Sequence, residues 1–194
     1  MMDGHNKSDG QRMKSGTWFV FLFLPFIDVL TEIGVAASFP QLRALYGSSF
    51  RASAVISISP FLTVVSGWMW GRLAERIEMR TLMRAAMLGW SAGLIVFGLF
   101  LHDFAASVLM RGVQGLFASG FAALPFIGFT RATGDQRQRT RYYGHLETAI
   151  SVGAISAPVL VGTAFSSSPG ITMAVIGISV LLLALFSGNI DLRR

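Results

Sequence analysis

The chain has 194 residues, of which 53% are hydrophobic and only 13% charged, and its mean hydropathy is +0.58. Ordinary soluble domains carry about a quarter charged residues, so the composition excludes a soluble enzyme or binding module and indicates an integral membrane protein. The absence of cysteine removes disulfides, thiolate metal sites and cysteine nucleophiles, while a formal charge of +6 and a pI near 10.8 raise the question of a nucleic-acid partner.

Six apolar segments follow in chain order, at 18–38, 53–70, 84–101, 104–129, 143–165 and 171–186. At 1.5 Å of rise per helical residue, such lengths cross a hydrocarbon core of about 30 Å. The first is preceded by Lys7, Arg12 and Lys14 and ends in VAAS at 35–38, as a secretory leader does, but Asp28 and Glu32 inside the run argue against that reading. Asp28 lies about 16 Å into this helix and Glu32 one turn further on the same face. A bare carboxylate there costs at least a few kcal/mol, so it must be protonated, paired or turned to water. Between the second and third segments stands the charged decapeptide GRLAERIEMR, 71–80, which reads as a short loop joining two spans. His102 and Asp103 fill the tight turn before the fourth segment, which carries Arg111 about 10 Å from its start and Gln114 one turn deeper. The fifth holds Gly153, Ala157, Pro158 and Gly162; small residues spaced by four let a neighbouring helix come close, and Pro158 removes one backbone hydrogen bond.

Thirteen of the sixteen Lys and Arg residues fall on one side of this layout, two (Arg43 and Arg51) fall on the other, and Arg111 lies within a span. By the positive-inside rule both termini are cytoplasmic. The basic pI is then topology, and a nucleic-acid role is set aside. Residues 1–16 read as a cytoplasmic tail, 17–189 as one transmembrane domain and 190–194 as a cytoplasmic end. Trp18, Trp68, Trp70, Tyr142 and Tyr143 cluster near the predicted interfaces, as an aromatic belt does. No phosphate-cradling GxxxxGK[ST] occurs, the three histidines lack metal spacing, and Ser66 and Ser151 have no base in hydrolase order. No cofactor, metal or enzymatic activity is expected.

Three groups of residues are more specific. Gly71, Leu73, Ala74, Glu75, Arg76 and Arg80 follow G-x-L-A-D-R-x-G-R-K, with Glu75 for the usual Asp and Glu78 for the second Gly. Arg111, Gln114 and Gly115 reproduce R-x-x-Q-G. Gly144, Gly153, Pro158 and Gly162 match G-x8-G-x3-G-P-x2-G-G, with Ala157 and Val161 in place of two glycines. These patterns, each on the segment where it is expected, resemble the amino-terminal six-helix half of major facilitator superfamily transporters, and the last is associated with proton-coupled antiporters.

The resemblance implies an all-α polytopic bundle of two inverted three-helix repeats in a bacterial inner membrane, with substrate near the bilayer midplane between this half and a second six-helix bundle. It implies that Glu75 latches onto that second bundle in one access state, and that Gly71 frees the chain to turn at a helix end. If the first and fourth helices both line the cavity, Glu32 and Arg111, at matching depth, form an ion pair. Asp28 and Glu32 are then the candidate proton or cation sites, Arg111 the counter-charge and Gln114 an orienting group. Movement separating Arg111 from its acid favours proton uptake. The expected function is proton-coupled antiport of a small organic solute, with the second bundle covalent or supplied by another copy. The alternative is a six-helix sensory or anchoring module coupled to a cytoplasmic effector.

Overall fold

The computed structural model of the chain describes residues 15–132 and 135–186, and every regular element among them is an α-helix. In chain order these are α1 (Ser15–Ala37), α2 (Phe39–Tyr46), α3 (Ser49–Arg76), α4 (Met79–Leu99), α5 (Phe104–Ala132), α6 (Gln136–Ser167) and α7 (Pro169–Phe186). Among the described residues, α1, α3, α4, α5 and α6 are long and apolar enough to cross a membrane, and α7 is a shorter apolar helix of 18 residues. The expected six spans therefore become five of full crossing length plus α7. Apart from residues 15 and 16, the two expected tails, with Lys7, Arg12, Lys14, Arg193 and Arg194, lie outside the described residues.

The charged decapeptide is not a loop. Helix α3 runs through Gly71 to Arg76 and α4 begins at Met79, which leaves only Ile77 and Glu78 between them. Leu, Ala, Glu and Arg are good helix formers, so the apolar run ends before the helix does. For the same reason α6 begins at Gln136 rather than near Tyr143, with the Asp135 side chain accepting the Arg137 backbone N–H at 3.0 Å. Helix α2, within a stretch read as a connection, has Pro40 in its first turn, where the ring costs no hydrogen bond. It stops at Gly47, whose φ of 65° is a left-handed conformation open to glycine.

Contacts along the helices fix their relative directions. Phe21 meets Phe129 and Glu32 meets Arg111, so α1 and α5 are antiparallel. Trp18 meets His145 and Gly34 meets Val161, so α1 and α6 run together; Thr63 meets Gly115 and Trp70 meets Leu116, so α3 and α5 do too. Helix α4 runs against both α5 and α7. Exchanging α1, α3 and α4 for α5, α6 and α7 leaves the pairings α1 with α6, α3 with α5 and α4 with α7 unchanged, while the close packing of α4 on α5 has no equivalent between α7 and α1. Each helix is antiparallel to its counterpart, which is the arrangement of two inverted three-helix repeats.

The core between α1, α4 and α5 holds Phe21, Leu24, Trp90, Phe121, Leu124 and Phe129, all with at most 1% exposure. The outside is apolar as well: Val64 is 81% and Ile155 80% exposed. Such a surface suits hydrocarbon rather than water. Trp70 does not join an interfacial belt, because it is buried and its indole donates to the Leu116 carbonyl at 2.8 Å. Trp68 stays exposed, with the Arg72 guanidinium over its ring.

Helix α2 is tied down by Tyr46, whose hydroxyl lies 2.8 Å from the Leu101 carbonyl and 2.9 Å from the Ser107 hydroxyl. Burial pushes the Tyr46 phenol above its ordinary range; the hydrogen bond with Ser107 opposes this and the Asp103 charge adds to it. An acid whose folded-state value is raised contributes stability that is complete below about pH 10 and is lost as pH rises beyond it. Tyr46→Phe is therefore expected to cost about 1 kcal/mol at neutral pH and to flatten the alkaline loss of stability. Thermal melts of both proteins at neutral pH and above pH 10 check this.

Candidate functional site

Two glycines let three helices close on one level of the bundle. A Cβ on Gly93 of α4 would stand 2.9 Å from the Gln114 backbone nitrogen, and one on Gly115 of α5 would collide with the Ser59 backbone of α3. Close approach of this kind needs small residues. It places Arg111, Gln114 and Ser59 around the Glu32 carboxylate of α1.

The contacts there are specific. Arg111 Nη2 lies 2.6 Å from Glu32 Oε2, with Arg111 wholly buried and the Glu32 side chain 21% exposed. Ser59 Oγ donates to Glu32 Oε1 at 2.7 Å, and Gln114 Nε2 reaches the same oxygen at 3.4 Å. Arg111 Nη1 donates to Gln114 Oε1, its Nε points at the Val55 carbonyl 3.5 Å away, and its guanidinium lies 5.7 Å from the Phe97 ring centre. Both Glu32 oxygens thus accept charge-assisted or hydroxyl hydrogen bonds, which is the condition for holding an ion pair in a dry interior.

Asp28 has a different environment. It is half-buried one turn before Glu32, and its Oδ1 accepts the indole N–H of Trp90 from α4 at 2.8 Å. Among the described residues no cation stands within ion-pair distance of it, and Arg111 is paired with Glu32 instead. One turn of α1 therefore carries two acids, one neutralised by a guanidinium and the other held by a neutral donor.

Of the residues singled out from the sequence, Glu32, Arg111 and Gln114 come together, and Asp28 lies beside them without touching Arg111. Ser59 and Trp90 were not foreseen. A tryptophan in the middle of a span is the available signal for the second, since a buried indole N–H needs an acceptor. The other two groups lie elsewhere. Gly71 sits inside α3, not at its end, and a Cβ there would meet nothing within 4 Å, so it brings no neighbouring helix close within this chain. Glu75 and Arg76 are exposed; Arg80, in the first turn of α4, is half-buried and its Nε has no hydrogen-bond partner among the described residues. In α6, Gly153 faces the Phe26 carbonyl of α1 and Gly162 lies against Ala37, whereas Gly144 and Pro158 are exposed.

The family model described as Major Facilitator Superfamily matches residues 17–190. Over 123 residues the chain is 28% identical to the Staphyloferrin B transporter of Staphylococcus aureus (strain NCTC 8325 / PS 47), covering 63% of this chain and 27% of that protein. Crystal structures of a mutant of the peptide transporter POT share its fold. The sulfate complex gives a TM-score of 0.74 at 21% identity, covering 91% of this chain and 38% of the other. The alafosfalin complex gives 0.70 at 20% identity, covering 91% and 39%. The chain thus spans about a quarter of the curated relative's length and less than two fifths of the solved transporters. With a family match running from the start of the first span to beyond the last described helix, and inverted repeats around a buried ion pair, this integral membrane chain belongs to the Major Facilitator Superfamily.

Proposed function

We propose that the chain forms one half of a secondary transporter that moves a small organic solute by alternating access, with export coupled to protons entering in exchange. The observation that carries the reading is the pair of unlike acids on one turn of α1. Glu32 and Arg111 together are close to neutral and cost little once both are bonded. Asp28, inside a helix long enough to cross the membrane, has no cation within ion-pair distance among the described residues. Such a group is retained where it exchanges a proton or a cation with water that reaches it from alternate sides.

In this reading α7 completes six crossings, both termini are cytoplasmic, residues 17–189 form the membrane domain between the tails 1–16 and 190–194, and the membrane is a bacterial inner membrane. The second bundle covers the apolar faces that α3 and α6 leave open, and Gly71, Glu75, Arg76 and Arg80 meet it at one end. Of the motif residues of α6, Gly153 and Gly162 give its close fit on α1, and the exposed Gly144 and Pro158 lie on faces open to the second bundle or lipid. The relatives' names, a staphyloferrin B transporter and a peptide transporter, support no more than the class of small organic solute.

The test is transport in proteoliposomes carrying a pH-sensitive dye, using the protein together with its second bundle. Asp28→Asn is expected to abolish solute-driven proton movement, and Glu32→Gln to reduce it. If pH-dependent transport in both variants equals that of the wild type, the proton-coupled reading is wrong.

A further inference from the structure

A side-chain hydrogen bond joins α1 to α4 in the middle of the bundle. It runs from the indole N–H of Trp90 to Asp28 at 2.8 Å. Trp90 is wholly buried, and its ring is held by stacking on Phe121 at 5.3 Å and 29°. The donor is therefore fixed in place while the acceptor sits on a different helix.

An indole N–H donates and has no lone pair to accept with. It meets an ionised carboxylate with a charge-assisted bond, whereas a protonated carboxyl offers it a weaker acceptor and a hydroxyl it cannot receive. The charged groups acting on Asp28 are Glu32 on its own helix and Arg111 from α5. Arg111 is already bonded to Glu32 and Gln114. On α3, Ser59 is neutral and bonded to Glu32, and on α6 Gly153 packs against Phe26. The neutral donor on α4 is thus the group that responds to the Asp28 charge.

We infer that Trp90 is a positioning residue for Asp28, fixing the orientation of its carboxylate and tying α1 to α4 while Asp28 is ionised. When a proton adds to Asp28 Oδ, the tie weakens and α1 is freed from α4, a helix that otherwise packs on α5 and α7. This rests on the reading of Asp28 as the proton site, and names the element through which that site acts on the bundle.

The experiment is nuclear magnetic resonance of the full chain in lipid nanodiscs, with tryptophan indoles labelled by nitrogen-15 and aspartate carboxyls by carbon-13. The Trp90 indole signal is assigned by elimination from Trp18→Phe, Trp68→Phe and Trp70→Phe. It is expected to move with pH with the same midpoint as the Asp28 carboxyl, to stop moving in Asp28→Asn, and to keep moving in Glu32→Gln. In Trp90→Phe, which keeps a ring on Phe121, the carboxyl midpoint is expected to differ from wild type by about one pH unit, because a donor favouring the charged form is gone. An indole signal indifferent to pH beside a titrating Asp28 would overturn the inference and leave the proton site standing. A carboxyl that does not titrate would overturn both. Should Trp90→Phe fail to fold, the wild-type and Asp28→Asn titrations still decide.

Discussion

Arg111→Gln is expected to destabilise the bundle by about 3 kcal/mol, the lower end for breaking a buried ion pair, since the Glu32 side chain retains some exposure. The loss has three parts. Glu32 loses the guanidinium at 2.6 Å, Gln114 loses the donor that orients its amide, and the Val55 carbonyl loses its Nε contact. Glu32 is then left with Ser59 and Gln114, which hydrogen-bond it without cancelling its charge. Two companions sharpen the test. Arg111→Lys keeps a charge but not the planar fork that reaches three partners at once, and should lie between wild type and Arg111→Gln. Adding Glu32→Gln to Arg111→Gln should recover most of the loss, since removing both partners costs far less than orphaning one. Thermal unfolding of the four proteins in one detergent checks this. A single variant that melts with the wild type, or a double variant no better than the single, would show that the pair does not hold α1 to α5.

Depth was legible in the sequence because helical rise is fixed: counting residues inward places Glu32 and Arg111 at one level, where they meet. Facing was less so. Asp28 and Glu32, four residues apart, differ by about 40° around α1, and that rotation is enough to turn one acid towards Trp90 and the other towards Arg111. The charged decapeptide misled because lipid, not helix propensity, ends an apolar run, so α3 extends beyond it to Arg76. Helix α2 was illegible for the opposite reason. Eight residues beginning Phe39–Pro40 are too few to stand as a helix alone, and its place depends on Leu42 and Tyr46 being buried by the rest of the fold. The inverted repeat shows in which helices pair and in which direction.

Gly115→Ala is expected to be among the most damaging single-methyl changes in the protein, and Gly71→Ala, at another glycine of the family patterns, to be neutral or mildly stabilising. The new methyl at 115 would stand 2.7 Å from Ser59 Cα and 2.9 Å from its carbonyl carbon, and closer still to the oxygen. Every one of these atoms is backbone, so no rotamer change relieves the clash and α3 must back away. Overpacking of this kind costs about 1–3 kcal/mol. The retreat also pulls on the bonds that join α3 to α5: Thr63 to the Gly115 carbonyl at 3.1 Å, Ser66 with Ser119 at 2.7 Å and Trp70 to Leu116 at 2.8 Å. Each one broken adds about 1 kcal/mol. Ser59 moves with α3, so its 2.7 Å bond to Glu32 lengthens and the ion pair is loosened as well. At Gly71 a Cβ meets nothing within 4 Å, and Ala in place of Gly inside a helix gains up to about 1 kcal/mol. Melting temperatures in one detergent should therefore order as Gly71→Ala at or above wild type and Gly115→Ala well below it. Equal melting of the two variants would mean that α3 and α5 do not approach as closely as the contact between Ser59 and Gly115 requires, and the cage around Glu32 would lose its third wall.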